Sequence, residues 1–182
     1  MREQVIERIE KEKLIAIVRG VSADQCSKVA NALYAGGVRL MEITYNQKDP
    51  ASWQQTAEAI GALTEEFGGK MLFGGGTVTN VELVELTHAH GGKYIISPDT
   101  NVDVIKRTVE LGMVSLPGAM TPTEVMTAHE AGADFVKLFP VDCVDLKYIK
   151  AVRAPINHIP LLAVSGVTPE NLGDYLKAGM AG

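Results

Sequence analysis

Apolar and polar positions alternate along the chain in two distinct patterns. Short runs rich in β-branched and other apolar residues predict seven strands: Leu14–Val18, Val38–Thr44, Met71–Phe73, Tyr94–Ser97, Met113–Leu116, Asp134–Phe139 and Pro160–Val164. Between them, apolar residues recur at helical spacing and predict seven amphipathic helices: Ala23–Ala35, Ala51–Phe67, Val81–His90, Val102–Leu111, Pro122–Ala131, Leu146–Val152 and Pro169–Ala178. Strands that alternate with helices in this way are typical of a parallel sheet built from βαβ units.

Residues at the ends of the helical patterns agree with this prediction. Glycines follow several helices, at the position where a left-handed backbone ends a helix. Candidate N-caps precede five helices: Ser22, Thr79, Asn101, Thr121 and Thr168. The pattern fits a closed barrel or an open doubly wound sheet, and we favour the barrel because no GxGxxG motif opens the first helix.

We therefore predict an α/β fold, a (β/α)₈ TIM barrel with an N-terminal helix, as one domain over residues 1–182. The pattern provides only seven strands, and the sequence ends directly after the seventh helix of the repeat. We expect either that the chain is truncated or that the eighth strand is absent from it.

Composition and charge narrow the classes of function. The net charge is −5, from 17 basic and 22 acidic residues, and no basic stripe that would suit nucleic acid is present. No apolar run approaches the roughly 20 residues that span a bilayer. Two cysteines without CxxC spacing argue against disulfides or a thiolate zinc site, and the four histidines are too dispersed to form a metal cluster. We expect a cytoplasmic protein without metal or cofactor.

Three charged residues occur in or at the ends of strands that are expected to be buried. Arg19 ends the first strand, while Glu42 and Lys137 lie among apolar neighbours in the second and sixth. Barrel active sites form at the carboxyl ends of the strands. An ionised group inside such a strand costs several kcal/mol unless it is paired. The pattern alone fits either one shared site or a structural ion pair.

The chemistry of the three residues favours a specific reaction. Desolvation lowers the pKa of a lysine, so Lys137 could attack a ketone and form an iminium that accepts electrons when a carbon–carbon bond breaks. Glu42 could move protons to and from the substrate. The guanidinium of Arg19 suits the carboxylate of a 2-keto acid.

Two loops offer further binding groups. Gly74, Gly75 and Gly76 precede Thr77 in a segment where the backbone could approach a ligand closely, although a triple glycine also fits a tight turn. Ser165 and Gly166 follow the seventh strand, where barrels usually bind phosphate.

In their order along the chain, these motifs resemble the bacterial 2-keto-3-deoxy-6-phosphogluconate / 4-hydroxy-2-oxoglutarate aldolase family. The resemblance covers essentially the whole chain. It is carried by Ile15–Gly20, Gly36–Val38 with Met41–Thr44, Gly74–Val78, Ile96–Pro98, Leu116–Gly118 with Thr121–Glu124, Val136–Pro140 and Gly166–Leu172.

The resemblance implies a homotrimeric (β/α)₈ barrel that cleaves a small-molecule 2-keto acid to pyruvate and an aldehyde such as glyceraldehyde 3-phosphate. It implies that Lys137 is the Schiff-base residue and Glu42 the acid/base. The implied substrate-binding residues are Arg19, which holds the carboxylate, Thr77, Ser97 and Pro98, which line the pyruvate pocket, and Ser165 and Gly166 at the phosphate position.

Two positions depart from the gluconate-type pattern. Asn46 stands where those members often carry arginine, and Ser165–Gly166 replaces a Gly-Gly pair. Both the asparagine and the stretch after the seventh strand look like the sister 6-phosphogalactonate enzymes. Two alternatives to the aldolase stay open on the sequence: a phosphate-binding barrel isomerase or epimerase, and a non-catalytic barrel that binds sugar phosphates.

Overall fold

Helices and strands alternate along the chain in the computed structural model, which describes residues 2–182. The helices are α1 Arg2–Glu12, α2 Ala23–Ala35, α3 Trp53–Phe67, α4 Val81–Ala89, α5 Val102–Glu110, α6 Pro122–Glu130, α7 Leu146–Arg153 and α8 Leu172–Lys177. The strands are β1 Ala16–Val18, β2 Leu40–Thr44, β3 Leu72–Gly76, β4 Tyr94–Ile96, β5 Val114–Leu116, β6 Gly118–Ala119, β7 Val136–Leu138 and β8 Leu161–Ala163. Single 3₁₀ turns cover Pro50–Ser52 and Val141–Cys143.

All strand pairs are parallel, as the alternating pattern predicts. Five strands pair in the order β1-β2-β3-β4-β5, and three pair in the order β6-β7-β8. β5 and β6 are separated only by Pro117, and the segment that leads into β7 bonds to β5 before β7 itself pairs with β6. The Phe135 N–H donates to Ser115 O at 3.3 Å, and the Lys137 N–H donates to Pro117 O at 2.8 Å. The two sheets therefore form one curved sheet with seven strand positions.

Side chains on the two faces of this sheet enter different cores. One face encloses an apolar cluster to which α1 contributes Val5 and Ile9, so α1 packs across the core at one end of the curved sheet. From the strands and the residue before β7, this cluster takes Leu40, Tyr94, Ile96, Val114, Leu116, Phe135 and Leu162. Alternate residues of the same strands, including Met41, Ile43 and Ile95, pack beneath α2 to α5 instead. This arrangement is a barrel-type α/β fold.

An ion pair ties α1 to the sheet. Arg2 Nη2 lies 2.8 Å from Asp134 Oδ1, and the other carboxylate oxygen of Asp134 accepts the N–H of Ser115 at 2.9 Å. The helix is thus attached where the strands begin.

The two edge strands of the curved sheet, β1 and β8, do not pair with each other in residues 2–182. Ala181 donates its N–H to Leu161 O at 2.7 Å along β8.

Several predicted boundaries are wrong. The third strand does not end at Phe73 but continues through Gly76, since the glycines pair with β2. The last helix begins at Leu172 rather than Pro169. Asn80, not Thr79, caps α4 by accepting the N–H of Leu83. Asn101 and Thr121 cap α5 and α6 as predicted, and Thr121 forms a capping box with Glu124.

Candidate active site

The carboxylate of Glu42 is buried at the centre of β2. The side chain is 2% exposed, and Oε2 has no hydrogen-bond partner among residues 2–182. Burial raises the pKa of Glu42 from 4.5 to about 7, because it disfavours the ionised form more than the charges of Lys137 and Arg19 favour it. A carboxyl group with this pKa can both accept and donate a proton near neutral pH.

The three glycines of β3 provide room for side chains of their neighbours. A Cβ at Gly76 would lie 2.7 Å from Cδ of Glu42, and a Cβ at Gly75 would lie 2.5 Å from Oγ1 of Thr87. A Cβ at Gly74 would overlap the ring of Tyr94. The interpretation of this segment as a loop is therefore wrong in part, because the glycines are strand residues that leave space for neighbouring side chains.

The amine of Lys137 is enclosed in the same way. Its side chain, in the middle of β7, is 7% exposed, and Nζ lies 4.5 Å from the centre of the Phe139 ring. Desolvation lowers the pKa of Lys137, the negative charge of Glu42 opposes that shift, and the positive charge of Arg19 adds to it. The face of Phe139 favours the ammonium form, so it acts with Glu42 against desolvation.

One cavity of about 300 Å³ brings together Glu42, Lys137, Ser165 and Gly166. It runs along the gap between β1 and β8, and its walls are mostly apolar: Ile9, Leu14, Ile15, Ile17, Ile96, Leu116, Leu162, Ala163, Val164, Val167 and Leu172. The wall also includes Lys13, which is exposed, whereas Lys137 and Glu42 are buried. A mostly apolar cavity with a buried amine and a buried carboxylate in its wall can hold a small ligand and exclude water from both groups.

Arg19 and Thr77 form a second, more exposed group. Arg19 Nη2 donates to Thr77 Oγ1 at 3.2 Å, and the charge of Arg19 acts on the pKa values of both Glu42 and Lys137. Thr77 has a left-handed backbone with a φ of 57°. A β-branched residue rarely adopts this conformation, and such outliers cluster at functional sites. Neither residue is part of the cavity wall.

Ser97 and Pro98 also lie outside the cavity wall. Ser97 is 2% exposed, and its N–H donates to Leu116 O at 3.2 Å. The carbonyl group of Pro98 lies directly against Gly118, which pairs with Lys137. The two residues thus adjoin the strand pair that positions the lysine, while the structure does not bring their side chains to the cavity.

The phosphate-type loop has an acidic neighbour that the sequence did not indicate. Ser165 and Gly166 both have left-handed backbones, with φ of 87° and 64°. A Cβ at Gly166 would lie 2.6 Å from Cβ of Asp142, in the turn after β7. Asp142 lies far from Gly166 in the sequence, so only the fold could reveal this contact.

Residues 2–182 contain neither a group of side chains suited to a metal ion nor a membrane-spanning helix. No group of three or more His, Cys, Asp or Glu side chains is placed to bind a metal ion there. Within the same range, no helix is both long and apolar enough to cross a membrane.

Comparison with known proteins identifies the family. The family model described as KDPG and KHG aldolase matches residues 5–181. The chain belongs to this family. It is 39% identical over 173 residues to the 2-dehydro-3-deoxy-6-phosphogalactonate aldolase of Escherichia coli (strain K12), which covers 94% of this chain and 82% of that protein.

Two other relatives agree. A probable 2-dehydro-3-deoxy-6-phosphogalactonate aldolase of Rhizobium meliloti (strain 1021) is 34% identical over 168 residues, covering 92% of this chain and 76% of the relative. A solved structure described as native KDPGal superimposes with a TM-score of 0.84 at 38% identity, covering 92% of this chain and 79% of that one.

Membership of the aldolase family decides between the functions that the sequence left open. The protein is an aldolase, a lyase that acts on a small molecule, and neither the isomerase or epimerase nor the non-catalytic barrel is better supported. The family alone does not assign roles to Lys137, Glu42 or the other residues near the cavity.

Proposed function

We propose that this aldolase cleaves a 2-keto-3-deoxy-6-phospho sugar acid to pyruvate and glyceraldehyde 3-phosphate through a Schiff base on Lys137. The observation that carries the proposal is that Lys137 and Glu42 are both buried in the wall of one cavity. Burial shifts their pKa values in opposite directions, towards a neutral amine and a protonated acid. These are the forms that carbinolamine formation and proton transfer require.

The reaction begins when the neutral amine of Lys137 adds to the C2 carbonyl to give a carbinolamine. Protonated Glu42 then gives its proton to the carbinolamine hydroxyl, which leaves as water, so that an iminium and an ionised Glu42 remain. The ionised carboxylate of Glu42 then accepts the proton of the C4 hydroxyl. The C3–C4 bond breaks, the aldehyde leaves, and the electron pair moves to the iminium to form an enamine. Glu42 returns its proton to C3. Water then adds to the new iminium, Glu42 takes the proton that this addition releases, and pyruvate and the neutral amine of Lys137 are set free.

The other predicted residues would bind the two ends of the substrate. Arg19 would hold the carboxylate of the 2-keto acid with a bidentate pair of hydrogen bonds, next to Thr77. Ser97 and Pro98 would support the pyruvate half. Ser165 and Gly166 would receive the phosphate end at the cavity wall.

Within this substrate class, the galactonate epimer is the better supported choice. Asn46 replaces the arginine of the gluconate-type pattern, and the relatives described above are named for the galactonate substrate. The smaller 4-hydroxy-2-oxoglutarate is a further substrate to test. The family resemblance also supports a homotrimer that acts in the cytoplasm.

Borohydride trapping tests the proposal directly. The protein is incubated with pyruvate and sodium borohydride, and mass spectrometry should locate a reduced adduct on Lys137. Lys137→Ala should abolish both adduct and cleavage, whereas Lys106→Ala, which changes an exposed lysine of α5, should alter neither. An adduct elsewhere, or cleavage by Lys137→Ala at the wild-type rate, would refute the proposed mechanism. Comparison of kcat/KM for the two epimers would then identify the preferred sugar acid.

A further inference from the structure

A single exposed side chain, Gln47, links both ends of the loop that carries Thr77. Gln47 Nε2 donates to Thr77 O at 2.8 Å, and Thr79 Oγ1 donates to Gln47 Oε1 at 2.8 Å. Both groups of the amide are therefore used, and both hold the same loop. Gln47 itself is not part of the cavity wall.

The loop needs such support because of the conformation of Thr77. Its φ of 57° is unfavourable for a β-branched residue. In this conformation the Thr77 hydroxyl accepts a hydrogen bond from Arg19 Nη2 at 3.2 Å. If Thr77 relaxed to a negative φ, its hydroxyl would move and this contact to Arg19 would be lost.

The segment that carries Gln47 is fixed on both sides. Trp53 Nε1 donates to Asn46 O at 2.9 Å, and Asn46 Oδ1 accepts the N–H of Lys48 at 3.1 Å. Gln47 therefore extends from a turn that is fixed by its own hydrogen bonds. Its side-chain amide can restrain the Thr77 loop, since it does not depend on that loop for its own position.

Other contacts hold the far side of the loop. Val78 donates its N–H to Ile96 O at 3.2 Å, and Asn101 Nδ2 donates to Thr79 O at 3.2 Å. These contacts leave the carbonyl of Thr77 to Gln47. Loss of the Gln47 amide would therefore free Thr77 while the rest of the loop stayed in place.

We propose that Gln47 is a positioning residue, which keeps Thr77 in its left-handed conformation and thereby holds Arg19 ready for the carboxylate of the 2-keto acid. The inference rests on the proposed role of Arg19 in binding that carboxylate. Because Gln47 acts through Arg19, its main effect is on the binding of the keto acid rather than on the proton transfers at Glu42.

The test separates binding from turnover. Gln47→Ala should raise two quantities about three- to tenfold: the KM for the 2-keto-3-deoxy acid, and the pyruvate concentration that gives half-maximal borohydride trapping. This is the effect expected from the loss of one or two hydrogen bonds. The value of kcat should change less than about twofold. Gln47→Glu keeps an acceptor for Thr79 but loses the donor to Thr77, and it should behave like Gln47→Ala. The matched control is Gln54→Ala. Among residues 2–182, the exposed side chain of Gln54 bonds only Glu58 in α3, so this substitution should change neither quantity.

A double-mutant cycle tests the route through Arg19. In an Arg19→Ala background, Gln47→Ala should change half-saturation by less than about twofold. An equal effect in both backgrounds, an unchanged KM in Gln47→Ala, or a fall in kcat alone would each overturn the inference. If Gln47→Ala traps pyruvate on Lys137 with wild-type half-saturation, only this inference fails. If the wild-type protein forms no adduct, the proposed function fails.

Discussion

The pH dependence of stability should change when Glu42 is replaced by glutamine. The carboxyl group is 2% exposed and its pKa is raised from 4.5 to about 7 in the folded protein. Between these two values the folded chain keeps the proton, while the unfolded chain has lost it. The folded state therefore binds more protons than the unfolded state, and wild-type stability falls as the pH rises through this window. Glutamine cannot ionise, so Glu42→Gln escapes this loss.

The size of the effect follows from the shift. One pKa unit corresponds to about 1.4 kcal/mol, so a rise from 4.5 to about 7 corresponds to about 3 kcal/mol. The loss is absent below pH 4.5, where the carboxyl group is protonated in both states. It is complete above pH 7, where the group is ionised in both. Relative to the wild type, Glu42→Gln should thus gain about 3 kcal/mol between pH 4 and pH 8.

Equilibrium unfolding in urea at a series of pH values measures this gain. Trp53, the single tryptophan, supplies a fluorescence signal from the first turn of α3. Any difference between the proteins that does not depend on pH, such as a change in packing, cancels when only the change with pH is compared. The protein concentration must be the same throughout, because assembly would add to the apparent stability.

A second variant tests the interaction between the charges of Lys137 and Glu42. The charge of Lys137 lowers the pKa of Glu42, so Lys137→Met should raise that pKa further and extend the fall in stability to pH values above 7. Parallel pH curves for the wild type and Glu42→Gln between pH 4 and pH 8 would refute the argument. They would mean that the buried carboxyl group ionises at an ordinary pKa.

Two further substitutions probe other contacts. Gly76→Ala places a methyl group 2.7 Å from the carboxyl carbon of Glu42, and it should lower kcat at least about tenfold while a pyruvate adduct still forms. The control is Gly173→Ala, where the new Cβ would meet no atom within 4 Å, and it should leave kcat unchanged. Arg2→Ala removes the 2.8 Å ion pair with Asp134. It should lower the free energy of unfolding, measured in urea, by about 1 to 2 kcal/mol without changing kcat. If the variant and the wild type unfolded with the same free energy, the attachment of α1 would not depend on this pair.

The alternation of strands and helices could be predicted from the sequence because each element carries its own periodicity. β2, for example, was predicted as Val38–Thr44 and is observed as Leu40–Thr44. The predicted barrel-type α/β fold and the aldolase family are likewise confirmed. The prediction that one domain spans residues 1–182 stays a prediction.

The contacts between distant elements could not be predicted in the same way. Glycine lowers strand propensity, so the sequence predicted that the third strand ends before Gly74, yet Tyr94 and Glu42 need the space that Gly74 and Gly76 leave. The contacts of Gln47 with Thr77 and of Asp142 with Gly166 depend on which loops lie next to each other at the carboxyl ends of the strands. The periodicity of apolar residues within one element carries no information about contacts between loops that are distant in the sequence.

The cost to stability and the proposed reactivity of the site have one physical origin. In water, the ordinary pKa values of Glu42 and Lys137, 4.5 and 10.5, keep both groups charged at neutral pH. Burial raises the first and lowers the second, so the two values approach each other, and a proton can leave the amine or join the carboxylate at a smaller cost. The face of Phe139 and the mutual attraction of the two charges limit this convergence. The free energy that Glu42→Gln would recover is therefore the free energy that keeps Glu42 able to take and return a proton near pH 7.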